Sequence, residues 1–516
     1  MDPTRRHRIE GILATDFYQL TAAQAYWKQG LAGRRAQFDY FFRSYPDYGG
    51  HAAGYCIGAG LQWLLEWMHE SSFDDEALST LREHRNARGD RMFDDGFLEW
   101  LREHGDFSTT ELLAVPEGRV VHANVPLVLA RGPLAMLQVL ETPLLMHLNY
   151  PTLVATKAAR IRLAGAGGLF MEFGARRAHD RAAHAGARAA LIGGADFSSN
   201  TGISFDLGLP PKGTHAHALV QAHLADGKTE LDAFRAFAAS QPDDCVLLVD
   251  TIDTLDSGVP NAIRVFEELR RDGHEPVGVR LDSGDLAHLA VRAAKMLDDA
   301  GFEKVAIVLS NQLDEAVIQQ IREQITEEAP EHGMDADSVL GRLAYGVGTA
   351  LITSQGHPAL DGVYKLTALE RDGAWQPVLK ISESPEKIPT PGPKTVWRLY
   401  DPDGHAIVDL VATDDEDPLE HDPLRLHHAT KEGVHRDLAA SEVGQAERLL
   451  ERVFADGAST LGDESIETMR QRRHDDLERL HAGVRRILHP HRYHVSLSHR
   501  MWELKTRLVE KISSGA

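Results

Sequence analysis

The segment VGVRLDSGDLAHL (277–289) places an arginine, a serine and two aspartates where a predicted strand gives way to a helix. Arg280 could bind a phosphate through two N–H groups, while Asp282 and Asp285 could hold Mg²⁺ or accept hydrogen bonds from a sugar diol. Amides at the start of a helix also favour anions. A helix capped by Ser283 or Asp282 explains the same letters. An arginine beside those carboxylates nevertheless favours a phosphate-binding site.

A second candidate anion site is the segment YGVGTALITS (345–354), where another predicted strand ends in glycines. Gly346 and Gly348 allow the backbone to approach a ligand closely, and Thr349 adds a hydroxyl at the start of the following helix. The pattern lacks the Gly-Lys-Ser ending of a nucleotide P-loop, and a tight turn accounts for it equally well. Alone, this segment is a weak indication of phosphate binding.

The stretch MEFGARRAHD (171–180) puts an aromatic ring and two arginines just beyond a predicted strand. Phe173 could stack on a flat ring, and Arg176 and Arg177 could neutralise a negative charge on it. A core phenylalanine followed by two solvated arginines explains the same residues. Without further context we favour that simpler explanation.

The triplet His215-Ala216-His217 allows two kinds of chemistry. Histidines two apart on a strand share a face, as metal ligands often do, and Asp250 or Asp282 could complete such a site. Alternatively, one imidazole accepts a phosphoryl group, which requires a nitrogen free of metal and a carboxylate that fixes the tautomer. Because the chain has 27 histidines, this pair alone favours neither.

Short apolar runs, mostly followed by helical stretches, must position these residues. The runs are LFMEFG (169–174), ALIGGAD (190–196), CVLLVD (245–250), VGVRLD (277–282), VAIVLS (305–310) and LAYGVG (343–348). Such alternation predicts a parallel α/β sheet, closed or nearly closed into a barrel. Ligand-binding residues in these barrels lie at the carboxyl ends of the strands, which is where the motifs above fall.

The segments before and after the predicted barrel have a different pattern of apolar and turn residues. Residues 115–132 alternate turn residues with β-branched runs, which predicts antiparallel strands, and residues 133–165 look helical. After the barrel, GVYKLTAL, PVLKIS and TVWRLYD predict further strands, which could pack with the N-terminal ones. Residues 414–428 are acidic and rich in proline and histidine, which predicts an exposed linker, and the periodicity of residues 441–488 predicts helices.

The composition excludes several classes of function. With 77 acidic against 55 basic residues, the 516-residue chain carries a formal net charge of −22, so its surface should repel nucleic acid and anionic membranes. Two cysteines are too few for a disulfide framework or a cysteine zinc site, which fits a reducing cytosol. We expect no export signal and no membrane span. The chain is therefore predicted to be cytoplasmic, with any anion-binding cations gathered locally.

These motifs together resemble the nicotinate phosphoribosyltransferases, a type II phosphoribosyltransferase family of NAD salvage. The resemblance rests on motifs that follow one another along nearly the whole chain. They are TDFYQLTAAQAY (15–26), FDYFFRSYP (38–46), TLVATKAAR (152–160), EFGARRAHD (172–180), IGGADFSSN (192–200), GTHAHALV (213–220), DTIDTLDSGVPNAI (250–263), VRLDSGDL (279–286), SNQLDE (310–315), YGVGTALIT (345–353), GVYKL (362–366), KISESPEKIPTPGPKTVWR (380–398) and HPHRYHVSLS (489–498). The acidic segment at about 323–339 is longer than the family leads us to expect.

The resemblance implies an α/β fold: an irregular (β/α) barrel with a second, mostly β domain built from the N-terminal and post-barrel segments. The implied divisions are an N-terminal α/β domain at 1–135 and a catalytic barrel at 136–360. Strands at 361–412 would return to the N-terminal domain, and a linker with a helical extension would occupy 413–516. Members are expected to form homodimers with shared active sites.

The resemblance also implies an activity: transfer of phosphoribosyl from 5-phosphoribosyl 1-pyrophosphate to nicotinate, giving nicotinate mononucleotide and pyrophosphate. The family couples this transfer to ATP hydrolysis through a phosphorylated histidine, which by its position in GTHAH would be His217. Asp253 would orient that histidine or the ribose. ATP and Mg²⁺ are the implied cofactors, and the implied partners are small molecules only.

The implied substrate sites take in the motifs described above. Residues implied to bind phosphoribosyl pyrophosphate are Arg280, Asp282, Gly346, Gly348, Thr349 and Lys365. In the implied nicotinate site, Tyr18 reaches across a dimer interface to one face of the ring and Phe173 lies on the other. Arg176 would meet the carboxylate or phosphate end, and Thr214 would lie nearby.

Ser199 is expected to favour nicotinate over nicotinamide. The family's nicotinamide-using relative places an acid near the ring's carbonyl substituent, at the position that Ser199 matches. A carboxylate there would repel nicotinate, whereas a hydroxyl can donate to it. The alternatives that remain are a nicotinamide-using transferase, a metal-dependent hydrolase built on His215 and His217, and a nucleotide-binding sensor that does no chemistry.

Overall fold

The computed structural model describes residues 3–381, 387–431 and 433–514. The chain divides into two compact units: residues 154–358 form one, and residues 1–153 together with 359–516 form the other. The unit of residues 154–358 is called the barrel unit below, and the other is called the split unit. The long helix Leu134–Ala164 begins in the split unit and ends in the barrel unit.

The barrel unit is built on one six-stranded sheet in which every neighbouring pair is parallel. The strands, in spatial order, are Phe197–Ser198, Leu169–Glu172, Leu343–Val347, Ala306–Ser310, Gly278–Leu281 and Val246–Leu248. The helices are Asp180–Gly193, Thr201–Asp206, His217–Ala225, Glu230–Ser240, Val259–Arg271, Leu286–Asp299, Glu315–Glu328, Ala336–Leu340 and Thr349–Ile352. The sheet curls into a half-barrel, not the closed or nearly closed barrel predicted from the number of apolar runs. Its strands are short, apolar and largely buried, as a parallel sheet covered on both faces requires.

The split unit contains two larger antiparallel or mixed sheets and a short pair of strands. The first sheet has the order Ala374–Pro377, Gly362–Arg371, Arg35–Phe42, Val128–Pro133, Glu111–Ala114, Glu451–Ala455, Ala458–Ser459. The second has the order His435–Leu438, Leu424–His428, Val495–Ser498, Ala406–Thr413, Lys394–Tyr400, Gln445–Arg448. Cys56–Ile57 pairs with Val120–Val121. The helices wholly inside this unit are Pro3–Glu10, Phe17–Lys28, Leu61–Glu70, Asp75–Glu83, Asp95–His104, Ile466–Glu478, Ala482–Arg485 and His499–Ser513.

The predicted fold class is confirmed: the chain is mixed α/β, with a curled parallel sheet and separate, mostly β sheets. The antiparallel strands expected at 115–132 and the helix expected at 133–165 are present. The strand at 362–371 pairs antiparallel with the N-terminal strand at 35–42, as the sequence suggested. Among the described residues, no helix combines the length and apolar character that crossing a bilayer requires.

One predicted strand of the barrel is wrong. The run ALIGGAD (190–196) is the end of the helix Asp180–Gly193, and the strand that follows is Phe197–Ser198. Alanines precede this run, so the helix continues through its apolar residues, which are buried as thoroughly as a strand would be. A short apolar run cannot be told from a buried helix segment by periodicity alone.

The predictions for the C-terminal region are also partly wrong. Residues 414–428 are not an exposed linker, because Glu416 is buried and Leu424–His428 is a strand of the second sheet. In 441–488 the helices come only after three strands, at 445–448, 451–455 and 458–459. These strands are short and their burial does not alternate with period 2, so the sequence shows no strand pattern there. Of the predicted strand PVLKIS, only Pro377 belongs to a strand, and Ser382 lies outside the described residues.

Candidate functional site

The carboxyl ends of the parallel strands bring most of the predicted site residues to one edge of the sheet. Phe173, Ser199, Asp250, Asp282 and Gly348 each follow a different strand within two residues. Parallel strands end on the same side, so these positions share that edge, called the carboxyl edge below. The expectation that the motifs meet at strand ends is therefore met in the barrel unit.

Three hydrogen bonds hold the side chain of Arg280 at the carboxyl edge. Its Nη1 donates to Thr214 Oγ1 (3.0 Å), its Nη2 to Asp282 Oδ1 (3.1 Å) and its Nε to Ser310 Oγ (2.9 Å). Ser310 Oγ in turn donates to Asp282 Oδ1 (2.6 Å). Three acceptors on three sides fix the plane of the guanidinium, so its remaining N–H groups have a defined direction.

Phe173 packs between Arg280 and a glycine. The guanidinium carbon of Arg280 lies 5.5 Å from the centre of the Phe173 ring. A Cβ atom on Gly346 would come within 2.5 Å of two ring carbons of Phe173, so no other residue fits there without moving the ring. At Gly348 a Cβ would lie 3.2 Å from the Phe173 carbonyl oxygen. The glycines therefore let the aromatic segment and the strand Leu343–Val347 approach closely.

A buried carboxylate, Glu172, organises the turn that follows Phe173. It accepts from Ser198 Oγ (2.6 Å) and from the Gly174 amide, and its carbonyl accepts from the Ser199 amide (3.0 Å). Burial raises its pKa, and these hydrogen bonds and the charge of Arg176 oppose that rise. Glu172 thus holds Ser199 beside the turn that carries the exposed Arg176.

His217 opens the helix His217–Ala225 and faces an aspartate. Its Nε2 lies 3.1 Å from Asp250 Oδ1, and the Asp250 side chain is only 2% exposed whereas that of His217 is 40% exposed. Asp250 Oδ2 accepts from the Asp282 amide (3.2 Å) and from the Ser283 hydroxyl. One buried carboxylate therefore joins His217 to the turn that carries Asp282.

His215 has a structural role that does not suit a shared metal site. The Leu248 amide donates to His215 Nε2 (3.0 Å), so that nitrogen carries no proton and is occupied. Phe237 packs edge-on against the ring, with centroids 4.9 Å apart, and burial lowers the pKa of His215, which keeps it neutral. Among the described residues, the groups with metal-ligand spacing contain neither His215 nor His217. Because His215 Nε2 already accepts a hydrogen bond, the geometry does not favour a metal-dependent hydrolase built on His215 and His217.

Asp253 and Thr349 lie at the starts of helical segments. Asp253 Oδ1 accepts from the amides of Leu255 (3.0 Å) and Asp256 (2.7 Å), which makes it the N-cap of a π-helical turn at 254–258. Thr349 is the exposed first residue of the helix Thr349–Ile352, directly after Gly348. The aspartate that contacts His217 is Asp250, and the role predicted for Asp253 stays a prediction.

Tyr18 and Lys365 belong to the split unit, where both face Glu141. Lys365 Nζ lies 3.9 Å from Glu141 Oε1 and donates to the Tyr364 carbonyl oxygen (2.9 Å). Burial lowers the pKa of Lys365, while Glu141 opposes that fall. Tyr18 lies on the helix Phe17–Lys28 and is 55% exposed. Burial and the charge of Glu141 raise its pKa.

Ser310 and Glu172 were not identified from the sequence as residues of the carboxyl edge, and Asp250 was assigned a different role. Ser310 ends a predicted strand but was not singled out, and Glu172 sits inside a motif that was interpreted through Phe173 and Arg176. Asp250 was considered only as a metal ligand. The position of Ser310 and Asp250 at strand ends is the signal that could have found them, since carboxyl-edge residues face the ligand.

Substituting each aspartate of the DTID segment (250–253) in turn separates the roles of Asp250 and Asp253. Asp250→Asn removes the charge that faces His217 Nε2. For the phosphohistidine chemistry that the sequence resemblance implies, we expect labelling of His217 by ATP to slow by about 10²–10⁴-fold, by analogy with aspartate-to-asparagine changes that leave a histidine in the wrong tautomer. Asp253→Asn, which keeps a capping oxygen, is the matched control. Rapid-quench labelling with γ-³²P-ATP measures both, and equal slowing of the two variants would contradict the assignment of Asp250.

The fold and the carboxyl edge together define a class: an α/β half-barrel enzyme whose fixed arginine, glycine amides and histidine–aspartate pair suit a phosphorylated ligand. Family profiles agree along the chain. Residues 13–149 match the nicotinate phosphoribosyltransferase N-terminal domain, residues 169–396 the family's central region, and residues 393–505 its C-terminal domain.

Individual proteins show the same similarity. The chain is 39% identical over 505 residues to a nicotinate phosphoribosyltransferase of Bacillus subtilis, covering 97% of this chain and 96% of the relative. It is 31% identical over 559 residues to the human nicotinate phosphoribosyltransferase, covering 98% of each. The crystal structure of human nicotinic acid phosphoribosyltransferase superimposes with a TM-score of 0.77 at 28% identity, covering 96% of this chain and 99% of the human one.

The chain belongs to the nicotinate phosphoribosyltransferase family. The resemblance stated from the motifs, and with it the prediction that the chain is an enzyme, is confirmed.

Proposed function

We propose that this chain transfers phosphoribosyl from 5-phosphoribosyl 1-pyrophosphate to nicotinate, giving nicotinate mononucleotide and pyrophosphate, and that ATP hydrolysis drives the reaction through phosphorylated His217. Family membership supports the transfer itself. The observation that carries the proposal is the link between Arg280 and His217. The guanidinium of Arg280 donates to the Asp282 carboxylate, and the Asp282 amide donates to Asp250, the residue that faces His217. A phosphate-binding group and a phosphate acceptor are thus joined through one short turn.

The transfer needs alignment and charge stabilisation rather than a general base. The lone pair of the pyridine nitrogen attacks C1′ of the ribose, and the bond from C1′ to the pyrophosphate oxygen breaks with the electron pair leaving on pyrophosphate. Holding the two reactants in line lowers the activation barrier, because their translational and rotational entropy is lost on binding and not in the chemical step. Cations beside the leaving group stabilise its growing charge. Arg280 and the amides at Gly348 and Thr349 would meet the phosphates, and Lys365 is proposed as a further cation.

Mg²⁺ is proposed to bind with the pyrophosphate, and the donors at the carboxyl edge fit such an ion. Asp282, whose side chain is 27% exposed, presents a carboxylate there, and oxygen is the ligand atom that Mg²⁺ prefers. This carboxylate would hold the ion, which would neutralise phosphate charge when bound.

The geometry of His217 indicates which nitrogen would accept the phosphoryl group. Nε2 faces Asp250, and in that tautomer it carries the proton and donates to the carboxylate, which leaves Nδ1 unprotonated. Nδ1 would attack the γ-phosphorus of ATP, the bond to the ADP oxygen would break, and Asp250 would stabilise the positive ring. The added negative charge beside the substrates can change their affinities and so drive turnover.

The nicotinate site is proposed to form around Phe173, with Ser199 and Thr214 near the carboxylate side and Arg176 at the anionic end. Tyr18 of a second copy would cover the other face of the ring in a homodimer with shared active sites. Exposure supports this part: Tyr18 and its neighbour Phe17 are 55% and 47% exposed on one helix. Such large aromatic side chains at a surface suit a partner. A cytoplasmic location is proposed with the same activity.

Replacing Ser199 by aspartate is expected to shift the choice of ring substrate. The new carboxylate would repel nicotinate and could accept from the amide of nicotinamide, so we expect the ratio of kcat/KM for nicotinate over nicotinamide to fall by about 10²-fold or more. Ser199→Ala, which removes the hydroxyl without adding charge, is the matched control. Steady-state assays with each ring measure the ratio, and an unchanged ratio in Ser199→Asp would show that this position does not select the substrate.

The proposed activity is tested by supplying the purified chain with phosphoribosyl pyrophosphate, Mg²⁺ and either nicotinate or nicotinamide, with and without ATP. Chromatography then follows the mononucleotide. We expect nicotinate mononucleotide as the main product and a faster or more complete reaction with ATP. Formation of nicotinamide mononucleotide alone would favour the nicotinamide-using alternative, and binding without any product would favour the sensor.

A further inference from the structure

Two histidines and a glutamate of the barrel unit converge, and none of the three lies inside a family motif quoted above. His288 lies in the first turn of the helix Leu286–Asp299, Glu328 ends the helix Glu315–Glu328, and His332 ends a 3₁₀ turn at 329–332. One potential ligand atom from each of the three lies within 4.8 Å of the other two. Glu328 and His332 belong to the acidic segment that is longer than the family leads us to expect.

The carboxylate of Glu328 is shared by both imidazoles. His288 Nδ1 contacts Glu328 Oε1, and His332 Nε2 lies 3.4 Å from the same oxygen. The two rings are inclined at 69°, with centroids 6.0 Å apart. An imidazole binds a metal through a lone pair in the plane of its ring, so inclined rings can direct two lone pairs at one point.

Neighbouring side chains hold the donors in place. Gln324 Nε2 lies 3.4 Å from Glu328 Oε2 and donates to both carboxylate oxygens of Asp285 (3.0 and 3.1 Å). Asp285 also accepts from the amide of His288 (3.2 Å). Outer partners of this kind orient the ligands of metal sites. The side chains of His288, Glu328 and His332 are 38%, 17% and 31% exposed, so an ion can enter from solvent.

We propose that His288, Glu328 and His332 bind a Zn²⁺ ion, with water as a fourth ligand. Two imidazoles and one carboxylate form a donor set that suits Zn²⁺ and does not suit Mg²⁺ or Ca²⁺, which take oxygen ligands. Because the ion joins the start of the helix Leu286–Asp299 to the end of the helix Glu315–Glu328, it would fasten the acidic segment to the helix that follows Asp282. This site is separate from the proposed transfer chemistry and does not depend on it.

A second group with similar spacing, Asp401, His405 and His481 in the split unit, is less suitable. Its two imidazoles stack nearly parallel, with centroids 4.5 Å apart and planes inclined at 15°. They also face different oxygens of Asp401, at 3.7 and 3.8 Å. Parallel planes direct the in-plane lone pairs away from a common point. The variant His405→Ala removes this group from the measurement described next.

Calorimetric titration of Zn²⁺ into the metal-free, full-length His405→Ala protein tests the proposal. We expect one tight site, and a rise in the unfolding temperature when Zn²⁺ is bound. Adding His288→Ala or His332→Ala should weaken binding by at least about 100-fold, and adding Gln324→Ala by about 10-fold, in line with losses seen for outer partners. His274→Ala is the control, because the side chain of that half-buried histidine pairs only with Asp243 among the described residues.

Co²⁺ provides a second readout that a loss of stability does not mimic. Bound to this donor set, Co²⁺ should give visible d–d absorption that disappears in Glu328→Gln and persists in His274→Ala. Thermal melts without metal show whether each variant folds. If the His288→Ala and His332→Ala proteins fold and bind Zn²⁺ as tightly as their parent, or if the parent binds none, the three residues form ion pairs only and the proposal is overturned.

Discussion

His217→Ala is expected to abolish ATP hydrolysis while leaving slow transfer of phosphoribosyl to nicotinate. Without the imidazole no nitrogen is available to accept the γ-phosphoryl group, so the ATPase rate should fall by at least about 10³-fold, as it does when a nucleophile is removed from a covalent mechanism. The transfer step does not use this nitrogen and should persist without any stimulation by ATP. Coupled assays of ADP release and mononucleotide formation measure the two rates separately.

A histidine on the same helix provides the control for this change. His223→Ala removes a half-buried imidazole whose Nδ1 faces the Leu219 carbonyl oxygen (2.9 Å), less than two turns beyond His217. We expect this variant to retain ATP hydrolysis and an acid-labile, base-stable phosphate label. If His217→Ala hydrolyses ATP at the parent rate, or if the label persists in it, another residue carries the phosphoryl group.

Arg280→Ala is expected to lower kcat/KM for phosphoribosyl pyrophosphate by about 10²–10⁴-fold. A hydrogen bond to a charged group contributes about 1.5–3 kcal/mol, and two such bonds to a phosphate would be lost together. Removal of the guanidinium also leaves Thr214, Asp282 and Ser310 without a common partner. The loss should appear mainly in kcat if the arginine acts on the leaving pyrophosphate, and mainly in KM if it only binds the substrate.

Arg280→Lys separates charge from geometry. Lysine keeps the positive charge but cannot donate to three acceptors from one plane, so we expect it to restore only part of the activity. Arg235→Ala is the control, since that exposed arginine pairs with Glu268 away from the carboxyl edge. An Arg280→Ala enzyme with unchanged kinetics for phosphoribosyl pyrophosphate would remove Arg280 from the site.

Much of the barrel unit could be predicted because its strands are short apolar runs that end at distinctive polar residues. The strands at 169–172, 278–281, 306–310 and 343–347 all fall inside predicted runs. The strand predicted at 190–196 is wrong because a helix and a strand that are buried on all sides have the same apolar composition. The strands at 445–459 were not predicted because they are short and their burial does not alternate between buried and exposed positions.

Prediction of the site reached the residue types but not all of the partners. Arg280 and Asp282 could be foreseen at a strand end, whereas their link through Ser310 depends on the register of two parallel strands. The choice between Asp250 and Asp253 is similar: both lie in one segment, and only the direction of the chain after the strand Val246–Leu248 brings Asp250 to His217. Sequence spacing contains no information on either contact.

The backbone after Ser310 adds a feature that the sequence did not indicate. Asn311 and Gln312 both adopt left-handed conformations, with φ of 93° and 50°, directly beyond the strand that ends at Ser310. Non-glycine residues in this region cost free energy and cluster at ligand-binding turns. The turn lies at the carboxyl edge, beside the serine that holds Arg280 and Asp282.

We propose that the carboxyl edge of the parallel sheet binds the phosphorylated sugar, although the chain as a whole carries a net charge of −22. A crystal structure of the chain with phosphoribosyl pyrophosphate and Mg²⁺ tests this proposal. We predict phosphate oxygens within hydrogen-bonding distance of Arg280 and of the amides at Gly348 and Thr349. Density for the ligand elsewhere, with Arg280 still held only by Thr214, Asp282 and Ser310, would show that the carboxyl edge is not the binding site.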